Sequence, residues 1–334
     1  MSTSVPIAGG ASLAVRWPLP WWPGLLASAS WALAAFVTHH FPDQVDIIEW
    51  AQTEPFAIAQ AAIAGAFLVL ALIGPLLPPL FRKVQPLGPW FVALGLFFAV
   101  WQLITAKLSL LPMPFFVPPQ QLVEVYLDDW PRLSQSVLAS LWLLARGYAL
   151  GAAVGFLVGL GLGWSPRFGY WAHPVMRLVG PLPATAWLPL AFFLFPSSAS
   201  ASTFLIALAT GFPVAVLTWS GVASVDPDFY DVARTLGAKQ RFLVLKVAVP
   251  AALPHVFVGL FMGLGSSFAV LVVAEMLGVR SGLGWYLSWA QGWAAYGNMY
   301  AALLVMALMC SALITLLFRL RDRLLSWQKG VVKW

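Results

Sequence analysis

Eight long, mostly apolar stretches dominate the 334-residue sequence. They cover approximately residues 20–41, 56–80, 87–111, 135–163, 169–194, 200–224, 252–276 and 297–319. A bilayer core about 30 Å thick needs roughly 20 apolar residues of helix, and each stretch is about that long. The stretches lack the alternation of period two that a half-exposed strand shows, and lipid-exposed backbone must satisfy its own hydrogen bonds. The sequence therefore predicts an all-α integral membrane protein with about eight transmembrane helices.

The composition excludes a soluble domain and a disordered chain. Of the residues, 61% are hydrophobic and only 9% charged, whereas a soluble domain is about 45–50% apolar and about 25% charged. Disordered chains are poor in apolar residues and rich in charge. A single cysteine, Cys310, leaves no intrachain disulfide, and His173 has no second ligand at a metal-binding spacing. We therefore expect no bound metal.

The basic residues indicate the orientation in the membrane. If the N-terminus is cytoplasmic, most Lys and Arg fall in inside segments, and only Lys107, Arg132 and Arg280 fall outside. Because Lys and Arg concentrate on the cytoplasmic side, we expect a multi-pass protein with both termini in the cytoplasm. The net charge of +6 is then a topology signal, and the sequence gives no support to nucleic-acid binding.

The inside segment 225–251 predicts two short amphipathic helices joined at a glycine. Asp226 is suited to cap the first helix and Pro227 to occupy its first position. Phe229, Val232, Ala233 and Leu236 are spaced to share one face. Gly237 is expected to end this helix, because glycine tolerates a left-handed conformation. Phe242 and Leu245 give a second apolar stripe, which Pro250 is expected to stop before the next span. The pair either lies on the membrane surface or docks in a groove on a cytoplasmic partner.

This segment resembles the signature of permease subunits of bacterial ABC importers, which reads Glu-Ala-Ala, three residues, Gly, nine residues, Ile, one residue, Leu-Pro. Here Asp231-Val232-Ala233, Gly237, Val247 and Val249-Pro250 keep every spacing. Aspartate replaces glutamate, and valines replace an alanine, the isoleucine and the leucine. Segments 181–190, 274–278 and 281–284 are similar to the nitrate/sulfonate/taurine/bicarbonate importer permeases. The resemblance covers approximately residues 87–325.

The resemblance implies a type I ABC importer permease in the inner (plasma) membrane. Residues 86–334 would form its six-helix core with the coupling loop 225–251, and residues 1–85 an N-terminal extension with two further helices. Two copies, as a homodimer, would form the pathway for a small solute, with two cytoplasmic ATPase subunits below it. An extracytoplasmic solute-binding protein would deliver an anion such as nitrate, bicarbonate, a sulfonate or taurine. The alternatives are a neutral or aromatic solute, or an ATP-independent secondary carrier.

The chain itself is expected to be non-catalytic. It has no Walker A pattern, so ATP and Mg would bind to the partner ATPase, and it has no Gly-x-Ser-x-Gly or His-Glu-x-x-His motif of an enzyme. The resemblance assigns docking on the ATPase to one set of residues in the coupling loop. These are Asp226, Pro227, Phe229, Tyr230, Asp231, Ala233, Arg234, Leu236, Gly237, Ala238 and Arg241.

Prolines and intramembrane charges suggest the pathway. Pro181, Pro183 and Pro189 break the fifth span, and broken helices expose backbone to a central cavity unless they are simple kinks. Arg146 and Arg177 could bind an anion or serve as structural cations. Glu275 could gate the outer side or pair with Arg280 or Ser281. The predicted pathway residues are Arg146, Arg177, Pro183, Thr185, Trp187, Glu275 and Met276.

Overall fold

The computed structural model describes residues 21–44, 50–74, 81, 83–111 and 113–328. Within these ranges the regular structure is helical throughout, which confirms the all-α prediction. The chain divides into two compact units, Met1–Glu124 and Val125–Trp334. The predicted division after residue 85 came from the resemblance and stays a prediction.

Three long helices lie in the described part of the first unit. They are α1 (Trp22–His40), α2 (Thr53–Ile73) and α3 (Gly88–Gln102), and α3 continues as a π-helical turn over Leu103–Lys107. Helix α1 packs against both α2 and α3. Ala27 and Ala34 of α1 are fully buried, and a Cβ on Gly95 of α3 would collide with Ser30. Small residues thus let the backbones of α1 and α3 approach closely.

Lys107 fastens the end of α3 to the end of α1. Its Nζ donates hydrogen bonds to the carbonyl oxygens of Thr38 at 2.9 Å and Phe41 at 2.5 Å, and lies 2.8 Å from Oδ1 of Asp43. The carbonyls at a helix C-terminus lack partners within the helix, and a cation there satisfies them. Lys107 is 3% exposed, so this residue, expected in an outside loop, is a buried cap.

The helices from Pro119 onwards differ widely in length. They are α4 (Pro119–Asp128), which contains the division between the units, α5 (Trp130–Trp164), α6 (Pro166–Val179), α7 (Leu188–Leu194), α8 (Ser198–Ala223), α9 (Pro227–Thr235), α10 (Gln240–Phe242), α11 (Val249–Leu277), α12 (Leu283–Gly292) and α13 (Tyr296–Leu324). A 3₁₀ turn, Ala184–Trp187, precedes α7, and a π-helical turn, Leu243–Ala248, joins α10 to α11.

Helices α5, α8 and α11 form the centre of the second unit. Gly147, Gly151, Gly155 and Gly159 recur every fourth residue along the face of α5 that meets α8. A Cβ on Gly151 would collide with the carbonyl oxygen of Ala207, and each of the other three would also collide with α8. These glycines therefore set the close approach of the two helices.

Six helices in the described part of the chain are long and apolar enough to cross a membrane. Helix α6 and the segment Ala184–Leu194, bent by 88°, supply a seventh if they count as one span. The membrane class predicted from the sequence is confirmed, but the number is six or seven where about eight were expected. The expected span that is not among these helices is α1. Ser28, Ser30 and the two histidines of its last turn lower its mean hydropathy.

Candidate functional site

Helix α9 begins as its sequence predicts. The Oδ1 atom of Asp226 accepts a hydrogen bond from the backbone N–H of Asp228 at 3.0 Å, and Pro227 occupies the first turn. Asp228 lies in the first turn and Arg234 in the last, so both charges match the helix dipole. Arg234 also forms an ion pair with Asp231 at 2.9 Å, although both side chains are largely exposed. Such an exposed pair adds little stability.

Gly237 ends α9 in a left-handed turn, which confirms the sequence prediction. Its φ is +82°, and the N–H of Ala238 donates back to the carbonyl oxygen of Ala233 at 3.0 Å. A Cβ added at this glycine would meet no atom within 4 Å. Glycine is therefore required by the backbone conformation and not by crowding.

The segment exposes a continuous apolar surface, which we call the coupling face. Its core residues are largely exposed: Phe229 at 65%, Val232 at 61% and Leu236 at 83%. These residues line a concavity of about 850 Å³ together with Ala233, Gly237, Ala238, Lys239, Arg241 and Phe242. A contiguous exposed apolar patch marks an interaction site more often than it marks ordinary surface.

The opposite side of α9 is anchored to the bundle through Tyr230. The Tyr230 ring meets the Trp164 ring at the end of α5, with centroids 5.7 Å apart, and it packs against the buried cluster of Val222, Ala248 and Ala252. Desolvation in this contact raises the pKa of Tyr230, so the phenol is neutral at physiological pH. The coupling face is thus held on a fixed base.

Pro250 does not stop the second helix of the segment, and that expectation is wrong. The helix is continuous from Gln240 to Leu277, and Pro250 lies in the first turn of α11. A proline removes one backbone donor and crowds the carbonyl four residues earlier. The π-helical turn over Leu243–Ala248 directly precedes it, and such turns accommodate an interrupted hydrogen-bond ladder. The second half of the segment is therefore one rigid piece with a membrane-crossing helix.

A cavity of about 320 Å³ lies at the break after α6, and we call it the break cavity. Helix α6 ends at Val179 and the chain resumes as a 3₁₀ turn at Ala184. Pro183 and Thr185, both predicted pathway residues, line this cavity. Pro189 does not break the helix as expected, because it sits in the first turn of α7, where proline is tolerated.

The other aromatic and basic candidates lie elsewhere. Trp187 packs against the central hydrophobic core, and its buried Nε1 has no hydrogen-bond partner among the described residues. Arg146 and Arg177 are exposed on the surface of the unit, and the guanidinium of Arg146 lies 5.4 Å from the ring centroid of Trp142. None of these three side chains lines the break cavity.

Glu275 is buried, and its partners differ from those expected. The Ser140 hydroxyl donates to its carboxylate, with Oγ 2.7 Å and 2.9 Å from the two oxygens. The backbone N–H of Gly284 donates to Oε2 at 2.8 Å, and that of Leu283 donates to the Ser140 oxygen at 2.8 Å. The expected pairing with Arg280 or Ser281 is replaced by this network, which joins α5, α11 and the start of α12. Met276, beside it, is only half-buried.

A second polar cluster, which the sequence reasoning missed, holds the middle of α12. The Tyr286 hydroxyl donates to Oδ2 of Asp129 at 2.7 Å, and Asn298 Nδ2 donates to the Tyr286 oxygen at 2.6 Å. Arg132 lies over the ring of Trp289 at 4.6 Å. No local sequence signal links residues so far apart along the chain. Within the described residues no group of His, Cys, Asp and Glu could hold a metal.

A bundle of apolar helices, a cavity at a broken helix and an exposed apolar face on a loop together fit a membrane transport subunit. Residues 151–329 match the family described as the binding-protein-dependent transport system inner membrane component. The chain belongs to this family and is a permease of an ABC importer that works with ATPase and solute-binding components in the inner membrane.

Three curated relatives illustrate the similarity. The nitrate import permease protein of Synechococcus elongatus is 32% identical over 61% of this chain and 76% of its own length. The taurine transport system permease protein of Escherichia coli is 32% identical over 71% of this chain and 89% of its own. The putative aliphatic sulfonates transport permease protein of Bacillus subtilis is 29% identical over 70% and 84%. A chain of the MetNI methionine ABC transporter, 15% identical, superposes with a TM-score of 0.46 over 55% of this chain and 94% of its own.

Proposed function

We propose that two copies of this chain form the pathway of an ATP-driven importer for a small anion, with one ATPase docked on each coupling face. The observation that carries the proposal is the coupling face itself, an exposed apolar surface on a rigid base. ATP and Mg²⁺ would bind on the ATPase, so this chain is non-catalytic and holds no cofactor. Both of its termini would lie in the cytoplasm, and a binding protein would deliver the solute from outside.

The coupling segment is connected to the helix bundle at two places, so a displacement of the segment would reach two helices. Tyr230 ties α9 to the end of α5, while α10 runs without interruption into α11. Helix α11 contributes Ser266, Ala269 and Val270 to the wall of the break cavity. Closure of the ATPase pair on ATP would therefore displace a wall of the cavity directly and turn it outward, and hydrolysis would reset it.

Two basic side chains accompany the apolar residues of the coupling face. Lys239 and Arg241 are among the residues that line the concavity, and the other described lining residues are apolar. An apolar centre with a charged rim is the usual composition of a protein interface, and rim charges steer association. We expect the ATPase cleft to carry carboxylates opposite these two residues.

The relatives named for nitrate, sulfonates and taurine support an anionic solute. One observation favours the alternative of a neutral or aromatic solute, namely the predominantly apolar wall of the break cavity. The ATP-independent carrier has less support, because the buried Glu275, close to the end of α11, is already engaged by Ser140 and Gly284.

Co-purification with the ATPase tests the proposal. Leu236→Asp and Ala233→Asp place a charge in the coupling face and should abolish capture of the ATPase. Leu324→Asp, at an exposed leucine near the end of α13, is the matched control and should retain it. Capture by Leu236→Asp at wild-type strength, or uptake into ATPase-free proteoliposomes driven by an ion gradient, would contradict the proposal.

A further inference from the structure

We infer that the solute crossing the break cavity is a small organic molecule with an apolar body and not an inorganic oxyanion. The inference rests on the proposed function and narrows its substrate class. It follows from the chemistry of the cavity wall, taken together with the positions of the nearest cations.

The wall of the break cavity is mostly carbon. Val179, Leu182, Leu208, Phe212 and Val270 supply its large side chains. The Phe212 ring lies against the chain at the break, since a Cβ on Gly180 would collide with it. A volume of about 320 Å³ is at the small end of the range for ligand pockets, about 300–1,000 Å³. The cavity therefore offers an apolar, partly aromatic surface of the size of a small organic solute.

The polar groups of the wall carry no formal charge. Two of the lining residues, Thr185 and Ser266, carry side-chain hydroxyls, and the Ser266 hydroxyl donates to the carbonyl oxygen of Met262 at 3.1 Å. No Lys, Arg or His is among the described lining residues. Arg177 precedes Val179 by two positions on α6, a rotation of about 200° that turns it away from the cavity.

Charge and hydration decide between the solute classes. Anion pathways commonly place rings of Arg or Lys along the pore, because a bare inorganic anion must have its lost hydration replaced. Two hydroxyls on an apolar wall supply little of that replacement. A solute with a carbon body gains from the same wall by removing apolar surface from water, and this gain offsets part of the cost of dehydrating its polar group. The wall thus favours an organic solute.

A graded substrate series tests this inference in the complete importer. The chain is reconstituted in proteoliposomes with its ATPase and binding protein, and uptake of nitrate, bicarbonate, taurine, butanesulfonate and neutral benzamide is measured. We expect uptake of butanesulfonate or benzamide, which have apolar bodies, and no uptake of nitrate or bicarbonate; taurine, charged at both ends of two methylenes, is the organic control without an apolar body. ATP-dependent uptake of nitrate or bicarbonate, or uptake of taurine without butanesulfonate or benzamide, would overturn the inference.

A cavity-filling variant separates a role of the wall from a role of the binding protein. Ala269→Phe fills the break cavity from α11, and it should lower uptake of the bulkier accepted probe by about tenfold, the effect of small size changes in an apolar pocket. Ala153→Phe, at an exposed alanine on α5, is the control and should leave uptake unchanged. Equal uptake by Ala269→Phe and wild type would overturn the inference.

The failure of the inference and that of the proposed function are distinguishable. ATP-dependent nitrate uptake overturns the organic class but leaves the importer and its anionic solute intact. Uptake of benzamide alone supports the apolar body and overturns the anion. Capture of the ATPase by Leu236→Asp at wild-type strength overturns the role of the coupling face in the proposed function and does not bear on the wall of the break cavity.

Discussion

Replacement of Gly237 by alanine should weaken ATPase docking through the backbone alone. The φ of +82° lies in the left-handed region, where an L-residue costs about 1–2 kcal/mol relative to glycine. A Cβ there would touch nothing within 4 Å, so no steric clash adds to this cost. If the turn must keep its shape in the docked state, this cost lowers the affinity of the permease for the ATPase by about 5- to 30-fold, because about 1.4 kcal/mol corresponds to a factor of ten in the dissociation constant.

The assay is a titration of labelled ATPase against the permease in lipid nanodiscs. Gly237→Asn is the matched control, because asparagine tolerates the left-handed region better than alanine and should retain more of the affinity. Gly237→Val should lose more, since its branched side chain is stiffer. Thermal unfolding of the spans should be unaffected in all three variants, because the turn lies outside them.

Two results would refute this reasoning. A wild-type dissociation constant for Gly237→Ala would show that docking does not need the left-handed turn. If Gly237→Ala binds the ATPase with an unchanged dissociation constant but unfolds at a lower temperature, the strain of the left-handed turn is already present in the undocked permease and does not affect docking.

Three further perturbations test the packing. Ser140→Ala removes the hydroxyl that donates to the buried Glu275 carboxylate and should lower the free energy of unfolding by about 1–3 kcal/mol, measured by thermal unfolding in detergent. Lys107→Met leaves the Asp43 carboxylate and two carbonyl oxygens without their cation and should lower the free energy of unfolding by about 3–5 kcal/mol, seen as faster hydrogen exchange in α1. The control is Lys83→Met at an exposed lysine. Equal exchange rates in α1 for the two variants would contradict the anchoring role of Lys107. Gly155→Ala should cost about 1–3 kcal/mol by pushing α5 from α8, whereas Gly265→Ala, which meets open space, should be near neutral, and equal stability of the two would refute the close packing.

The features that sequence predicted well are local ones. The cap at Asp226, the first-turn proline and the glycine turn each depend on a few neighbouring residues, and the structure contains all three. Pro250 was misjudged because the π-helical turn before it has no recognised sequence signal. The described residues contain six or seven of the roughly eight expected spans, because hydropathy and length alone do not separate a short span such as α1 from other apolar helices.

The long-range features could not be predicted from spacing. Glu275 was recognised as unusual because a carboxylate in an apolar stretch is costly, but its partner Ser140 lies 135 residues away. The same holds for Asp129 and Tyr286, which are 157 residues apart. Both pairs depend on how α5, α11 and α12 pack, and packing is a property of the whole bundle.

The sequence by itself determined the membrane class and the coupling segment, because apolar length and local helix signals are written in consecutive residues. Only the tertiary structure decided that Arg146 and Arg177 do not line the break cavity, that Pro183 and Thr185 do, and that the coupling face is rigidly joined to α11. The physical reason is that the direction of a side chain depends on which helices surround it, and close contacts between small residues, such as the glycines of α5, set that arrangement.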